Sequence, residues 1–228
     1  MGHGDGLMAF FLRENFERGF EVAPEHRSVY RSVFKRVFDI LFVLTIALPV
    51  TLVVLVLALL ISLDGASPFY LQERVGKNGK RFKMLKLRSM VPNAHRKLEA
   101  YLQANAAARV EWNEKQKLTH DPRITPLGRI IRKTSLDELP QFFNVLKGDM
   151  SVVGPRPMMP QQTALYPGTS YYRMRPGITG FWQISERNEC SFAERAIHDS
   201  NYDRALSLRT DIAVVWRTVA VVMAGTGV

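Results

Sequence analysis

The feature that most constrains this chain is the run from Ile40 to Leu63, ILFVLTIALPVTLVVLVLALLISL, 24 residues without a formal charge. As one straight helix it would be about 36 Å long, enough to cross a hydrocarbon core of about 30 Å. It does not read as a cleavable signal peptide. It starts too late, is too long and lacks a small-residue cleavage site ahead of the folded part. Pro49 lies inside the run, where it removes a backbone hydrogen bond and crowds the preceding turn, so a kink or break is expected. It divides the run into pieces of 9 and 14 residues. At about 14 and 21 Å, neither piece would span alone. Arg27, Arg31, Lys35 and Arg36 precede the run, and Arg74, Lys77, Lys80, Arg81 and Lys83 follow it. Cations so evenly divided give no orientation bias. A kinked transmembrane helix is the plain alternative. The flanks favour both ends on the cytoplasmic side, as a re-entrant hairpin around Pro49 whose freed backbone groups find partners within the protein.

At 228 residues the chain is about one domain's worth of protein. An apolar share of 46% excludes a disordered tail and a collagen-like fibre. The 31 basic residues exceed the 21 acidic ones, for a net charge of +10. Between Glu73 and Lys133 there are 16 Lys and Arg against 5 Asp and Glu, a surplus of 11 that accounts for all of it, so an anionic ligand is expected there. The single cysteine, Cys190, permits no intrachain disulfide and points to a reducing compartment. The five histidines show no ligand spacing, and one cysteine cannot build a zinc site. Phosphate-loop, dinucleotide-fold and nucleophile-elbow glycine motifs are missing.

Three segments follow: residues 1–28 as a flexible lead-in, 29–64 as the membrane helix with its basic flank, and 65–228 as a cytoplasmic catalytic domain. Val29, Val33, Phe34, Val37 and Phe38 form a helical stripe leading into the membrane run. Phe69–Leu71 and Phe82–Leu87 read as strand pieces around a Gly76–Gly79 turn, a candidate hairpin. Pro92 to Leu118 predicts a long surface helix. Asp137 to Lys147 predicts another, with Pro140 in its first turn and Gly148 as its stop. Asp149 to Gly180 reads mostly as loop. A last helix, from Ser207 to about Met223, belongs either to the core or to the membrane interface.

The sharpest local motif is Ser135-Leu136-Asp137-Glu138-Leu139-Pro140. Adjacent carboxylates at a helix start sit where backbone N–H groups favour negative charge. The bland alternative is a capping box, Ser-x-x-Glu, although Pro140 fits poorly into a helix capped at Ser135. In Gly154-Pro155-Arg156-Pro157 two prolines hold out one guanidinium, the rigid bidentate donor that phosphate recognition uses. Lys86 and Arg88 alternate on one face of a candidate strand, and Arg132 lies five residues before Asp137. For each cation the bland alternative is a solvated surface charge. Together, a lipid-facing segment, a cationic surface and paired carboxylates suit phosphoryl transfer, in which a carboxylate nucleophile divides the reaction into two displacements.

These motifs resemble the bacterial sugar transferases, the monotopic polyprenyl-phosphate phosphoglycosyl transferases that start exopolysaccharide and O-antigen assembly. The resemblance rests on Lys35-Arg36-Val37-Phe38-Asp39, Pro68-Phe69-Tyr70 with Gln72-Glu73-Arg74-Val75-Gly76, and Lys86-Leu87-Arg88-Ser89-Met90. It continues through Asp121-Pro122-Arg123-Ile124-Thr125-Pro126-Leu127-Gly128, Ser135 to Gln141, Asn144 to Pro157, Arg175 to Gly180, and Ser207 to Ile212, covering about residues 30 to 222. It implies transfer of a sugar 1-phosphate from a UDP-sugar to undecaprenyl or another polyprenyl phosphate. Asp137 would be the nucleophile and Glu138 its Mg²⁺-associated partner, both placed at the metal. Lys86, Arg88, Arg132, Arg156, Arg187 and Asp211 would handle phosphate or substrate. The implied fold is α/β, mostly α: a small family-specific monotopic arrangement with a re-entrant N-terminal helical hairpin and interfacial amphipathic helices. The implied location is the cytoplasmic face of the bacterial inner membrane, with membrane lipid as a partner and a homodimer as a further expectation.

Some positions depart from the family's pattern. Glu186 precedes Arg187-Asn188 where glycine is common, Leu48 precedes Pro49 where serine is common, and Ala205-Leu206-Ser207 replaces Asn-Trp-Ser. The four preceding spans of longer members are missing, so the chain resembles the short form. Glu111-Trp112 with Lys117-Leu118 resembles the galactosyl branch. Three rival readings are weighed against this one. A non-catalytic membrane-anchored basic scaffold leaves the paired carboxylates unexplained. Nucleic-acid binding rests on charge alone, without a recognition motif. A metal-dependent glycosyltransferase would release a nucleoside diphosphate rather than a monophosphate.

Overall fold

The computed structural model describes residues 28–115, 118–185 and 194–223, so the expected lead-in lies almost wholly outside the described residues. The chain is mostly helical with two small two-stranded sheets. A π-helical turn, Tyr30–Phe34, runs into α1, Lys35–Ser62. Helix continues through Pro49 without the expected break. One proline removes a single donor, and the long aliphatic run around it keeps the rest of the ladder intact. Leu48, Leu52, Leu55, Leu59 and Leu63 are all exposed, and only 6% of the most apolar stretch of this helix is buried. Apolar surface of this extent on a helix long enough to cross a bilayer marks a membrane-associated element rather than a core helix.

Strands β1, Phe69–Val75, and β2, Arg81–Leu87, pair as expected. Their connection turns at Asn78 and Gly79, with φ of 57° and 74°. The chain divides into two compact units. One contains Leu48–Leu71 and Leu85–Pro140, the other contains the described residues of Met1–Ala47, Gln72–Met84 and Gln141–Val221.

In the unit holding the second half of α1, the predicted long helix proves to be two, α2 (Ala94–Ala104) and α3 (Ala106–Lys115). Asn105 between them is extended, and its side-chain oxygen accepts from the Ala108 N–H at 3.0 Å, an N-cap that starts a new helix. The pair is not purely a surface feature, because Leu98, Leu102, Ala108 and Leu118 are buried together. Helix α4, Pro126–Lys133, begins with the Thr125 hydroxyl accepting from Gly128 N–H at 2.8 Å and with proline at its first position. Gly128 lies against the Ser89 carbonyl, where a Cβ would come within 1.9 Å of the oxygen. Ile131 of α4 and Leu87 of β2 are buried with Ala58 and Ile61 of α1, and Leu136 packs at the edge of the same cluster.

The predicted helix from Asp137 also starts later. A 3₁₀ turn, Leu136–Glu138, comes first, and α5 spans only Gln141–Lys147. Pro140 therefore stands just ahead of the helix, where its missing N–H costs no hydrogen bond. Gly148 ends α5 as expected, with φ of +93°.

In the other unit, β3 (Ser151–Val153) and β4 (Gly177–Thr179) pair in parallel, Ser151 opposite Gly177 and Val153 opposite Thr179. The sequence read this region as loop, because strands of three residues are too short to show alternation. Helices α6 (Ser170–Arg173), α7 (Phe181–Ile184), α8 (Arg195–Ala205) and α9 (Leu208–Met223) follow. The core gathers Val43, Val145, Met150, Val153, Tyr202 and Val214. Beside it lies a buried ionic cluster. Lys35 Nζ is 3.1 Å from Asp39 and 3.0 Å from Asp211, both fully buried. The Tyr30 and Tyr202 hydroxyls donate to Asp211 at 2.6 and 2.7 Å, and Ser151 Oγ and Val152 N–H donate to Asp39 at 2.9 and 3.0 Å. This network fastens the start of α1 to β3 and α9.

Candidate active site

Asp137 and Glu138 occupy the 3₁₀ turn between α4 and Pro140. Ser135 enters the turn in the left-handed conformation, φ 56°, and its side chain makes no capping hydrogen bond. The capping box is therefore not formed, and Glu138 is directed elsewhere. Its carboxylate accepts from Lys86 Nζ at 2.7 Å, and the same ammonium lies 3.8 Å from Asp137 Oδ2. Each part of this arrangement has a local cause. In β2 alternate side chains face opposite ways, so burying Leu87 turns Lys86 to the other face. Ile131, fully buried, and Leu136 anchor the two sides of the turn in the apolar cluster, next to the C-terminal part of α1.

The three side chains are largely but not wholly enclosed: 13% exposed for Asp137, 19% for Lys86 and 24% for Glu138. Burial pushes the Asp137 carboxyl above its ordinary value, and the Glu138 charge adds to the rise, while Lys86 and Arg132 oppose it. Arg132, in the last turn of α4, also adds a smaller pull to the lowering of the Asp121 carboxyl, which Arg123 chiefly causes against burial. Lys86, Arg132, Asp137 and Glu138 thus form one electrostatic group, in which the least solvated carboxylate has cations on hand to stabilise it.

The carboxylate pair fits a hard divalent cation. Two adjacent carboxylates already share one positive charge, the Lys86 ammonium, and Mg²⁺ is usually held by one or two carboxylates with substrate phosphates and water completing its shell. Among the described residues no group of three or more His, Cys, Asp or Glu offers a fuller protein cage.

The remaining expected site residues lie elsewhere. Arg88 follows directly on β2, its backbone N–H donating to the Pro68 carbonyl at 2.7 Å. Its guanidinium binds both oxygens of Asp64, at 2.6 and 2.7 Å, and donates to the carbonyls of Ile61 and Ser67, closing the C-terminal end of α1. Asp211 belongs to the buried ionic cluster. Arg156 lies in the unit of α7 and α8, over the ring of Trp182 with 5.0 Å from guanidinium carbon to centroid. Arg187 falls outside the described residues. Arg195 stands over the same indole at 4.4 Å. Sequence reasoning did not single out Trp182 or Arg195, because nothing in their spacing from Arg156 announces that they meet.

The model of the family described as bacterial sugar transferase matches residues 30–225. The chain is 49% identical over 170 residues to the UDP-galactose-lipid carrier transferase of Erwinia amylovora, a match covering 74% of this chain and 36% of the relative. It is 45% identical over 166 residues to the exopolysaccharide production protein ExoY of Sinorhizobium fredii, covering 72% and 74%. It is 47% identical over 169 residues to the undecaprenyl-phosphate galactose phosphotransferase of Salmonella typhimurium, covering 73% and 36%. The match therefore spans about a third of the Erwinia and Salmonella proteins and about three quarters of ExoY. With its carboxylate turn, the lysine and arginine that face it, and a family match across most of its length, the chain belongs to the bacterial sugar transferase family.

Proposed function

We propose that this protein moves a sugar 1-phosphate from a UDP-sugar to undecaprenyl phosphate, or a related polyprenyl phosphate, through a covalent intermediate on Asp137, and so initiates exopolysaccharide synthesis. The observation that carries this reading is the Lys86–Asp137–Glu138 group beside the end of the exposed apolar helix. The relatives' names supply the donor and acceptor classes: a UDP-galactose-lipid carrier transferase and an undecaprenyl-phosphate galactose phosphotransferase.

In the first displacement an Asp137 carboxylate oxygen attacks the sugar-linked phosphorus of the donor. A new P–O bond to the carboxylate forms as the bond to the other phosphate breaks, and UMP departs with the electron pair. In the second, an oxygen of the lipid phosphate attacks the same phosphorus. The acyl-phosphate bond breaks, the carboxylate is regenerated and the lipid carries a diphosphate-linked sugar. Ionised Asp137 is needed for attack, and Lys86 and Arg132 oppose the desolvation that raises its pKa. Asp137 and Glu138 would hold Mg²⁺, which would supply charge neutralisation on the transferring phosphates. Arg156 and Arg187 are assigned to phosphate handling. Arg88 and Asp211 have structural engagements within their own units, which gives them a part in the fold.

The membrane helix is assigned a re-entrant course with both ends on the cytoplasmic side. The near-equal cationic flanks support this course, and Pro49 gives the helix one position at which to bend. The critical experiment is incubation with UDP-galactose or UDP-glucose in the absence of lipid acceptor, followed by mass spectrometry. A hexose-phosphate adduct on Asp137 with UMP release is expected. A ternary-complex rate law without adduct, or release of UDP instead of UMP, would overturn the scheme.

A further inference from the structure

Helix α4 packs on the C-terminal half of α1 through Leu127 and Ile131, which share an apolar cluster with Ala58 and Ile61. On the same stretch of α1, Leu55, Leu59 and Leu63 are exposed, Leu59 at 68%. The outward side of α4 is not uniformly polar. Ile130 is 59% exposed between Arg129 and Lys133, which are exposed as well, and neither cation pairs with a described residue. Elsewhere in this unit, Lys86, Arg88 and Arg123 each bind a carboxylate. The negative end of the helix dipole accounts for Lys133 in the last turn, but Arg129 stands at the middle of the helix. The two cations are one turn apart, about 5–6 Å between Cβ atoms, close enough to share one phosphate or to hold neighbouring ones. Where the exposed leucines of α1 meet lipid, an isoleucine framed by two long cationic side chains fits the boundary between acyl chains and headgroups.

We propose that Arg129, Ile130 and Lys133 form a docking face for anionic phospholipid, Ile130 entering the acyl boundary while the two cations hold headgroup phosphates. The occupant follows from continuity with the exposed side of α1 and from charge. Two cations are unpaired, and α4 itself, PLGRIIRK, carries no carboxylate to offset them. Part of the basic surplus between Glu73 and Lys133 thereby gains its anionic partner. The turn of Asp137 and Glu138 follows α4 within a few residues, so lipid held by α4 keeps that turn near the headgroups. This inference needs α1 to lie in lipid and is independent of the covalent scheme.

The test uses the full chain in lipid nanodiscs, with Cys190→Ser removing the native thiol and a fluorophore attached at Ile130→Cys. Phosphatidylglycerol and phosphatidylcholine, each spin-labelled near the top of the acyl chain, are compared as quenchers at equal mole fraction. Both should quench, and phosphatidylglycerol more strongly, with each cation worth about fivefold in local preference. Arg129→Gln combined with Lys133→Gln should bring the two lipids to parity, whereas Arg129→Lys combined with Lys133→Arg should keep the preference. Equal quenching by both lipids in the parent, or a preference unchanged by the glutamine substitutions, would overturn the docking face. Loss of the phosphatidylglycerol preference on adding a short-chain polyprenyl phosphate as a minor component would overturn the phospholipid assignment and give the face to the acceptor. A fluorophore at Leu59→Cys, in the same discs, reports whether α1 lies in lipid. Quenching at position 59 without quenching at 130 overturns the docking face alone, and quenching at neither overturns the membrane reading of α1 with it. Adduct formation on Asp137 is read separately, so the docking face and the covalent mechanism can fail independently.

Discussion

Lys86 and Glu138 are 52 positions apart in the chain, yet Lys86 Nζ lies 2.7 Å from Glu138 Oε1 while standing 3.8 Å from the neighbouring Asp137. The lysine is thus bonded to one carboxylate and only close to the other. That asymmetry leaves Asp137 less solvated and less paired than Glu138, in keeping with its proposed role as nucleophile. It also makes Glu138 the residue that positions the ammonium.

Asp137→Asn should abolish adduct formation and lower UMP release by at least about a thousandfold, as removal of a covalent nucleophile does elsewhere. A radiolabelled-donor assay checks this. Glu138→Gln should retain some adduct, because it removes a neighbour of the proposed nucleophile and not that carboxylate itself.

Asp137→Asn should also raise stability at neutral pH. Asp137 has a raised carboxyl pKa in the folded state, so between its unfolded and folded values the folded chain holds the extra proton and stability falls as pH rises. The penalty is fully present above the folded value and vanishes in acid below the unfolded one. Thermal melts of Asp137→Asn against the parent should therefore differ at pH 7 and converge near pH 3. Equal melting temperatures at pH 7 would remove the argument.

Lys86→Met should shift the acidic limb of the rate–pH profile toward higher pH. Lys86 is the largest influence lowering the Asp137 pKa, and without it desolvation and the Glu138 charge act with less opposition. The measurement is initial UMP release across pH in nanodiscs, where an unshifted limb would assign that ionisation to another group.

How much of this could be read in the sequence depends on what kind of signal each element leaves. The apolar run, the Phe69 and Phe82 strand pieces, the Gly148 stop and the last helix were all legible, because periodicity or a turn residue announces them. Helix α8 was not, since its buried face carries His198, Asp199 and Asp203, which read as solvent-facing. Asn105 was lost inside a helix-favouring stretch, although asparagine is a strong N-cap. At the site, the carboxylates and Lys86 were found from residue type and motif. Arg88 stood out by its spacing from Lys86, but its pairing with Asp64 and the Ile61 and Ser67 carbonyls is long-range and leaves no mark in the sequence.

Asp211→Asn should unfold the protein rather than slow it selectively. The carboxylate is fully buried, ion-paired to Lys35 and bonded by Tyr30 and Tyr202, and breaking such a buried pair typically costs about 3–5 kcal/mol. Denaturant unfolding and KM for the UDP-sugar together decide the matter. A stable variant with a raised KM would return Asp211 to the substrate.

Gly128→Ala should destabilise by about 1–3 kcal/mol or more, because overpacking against rigid backbone cannot be relieved by a side-chain rotation. The new methyl would meet the Ser89 carbonyl oxygen at 1.9 Å, on the segment that carries Lys86 three positions earlier. Adduct yield should fall along with the denaturation midpoint.

The grip of Arg88 on Asp64 and on the Ile61 and Ser67 carbonyls has a consequence for the living cell. It ties the last turn of the exposed apolar helix to the strand that bears Lys86, so under the proposed scheme the height of Asp137 above the headgroups is inherited from how deeply a bilayer seats that helix. Acyl-chain length alone should then retune turnover, letting the lipid composition of the host act as a throttle on polymer output.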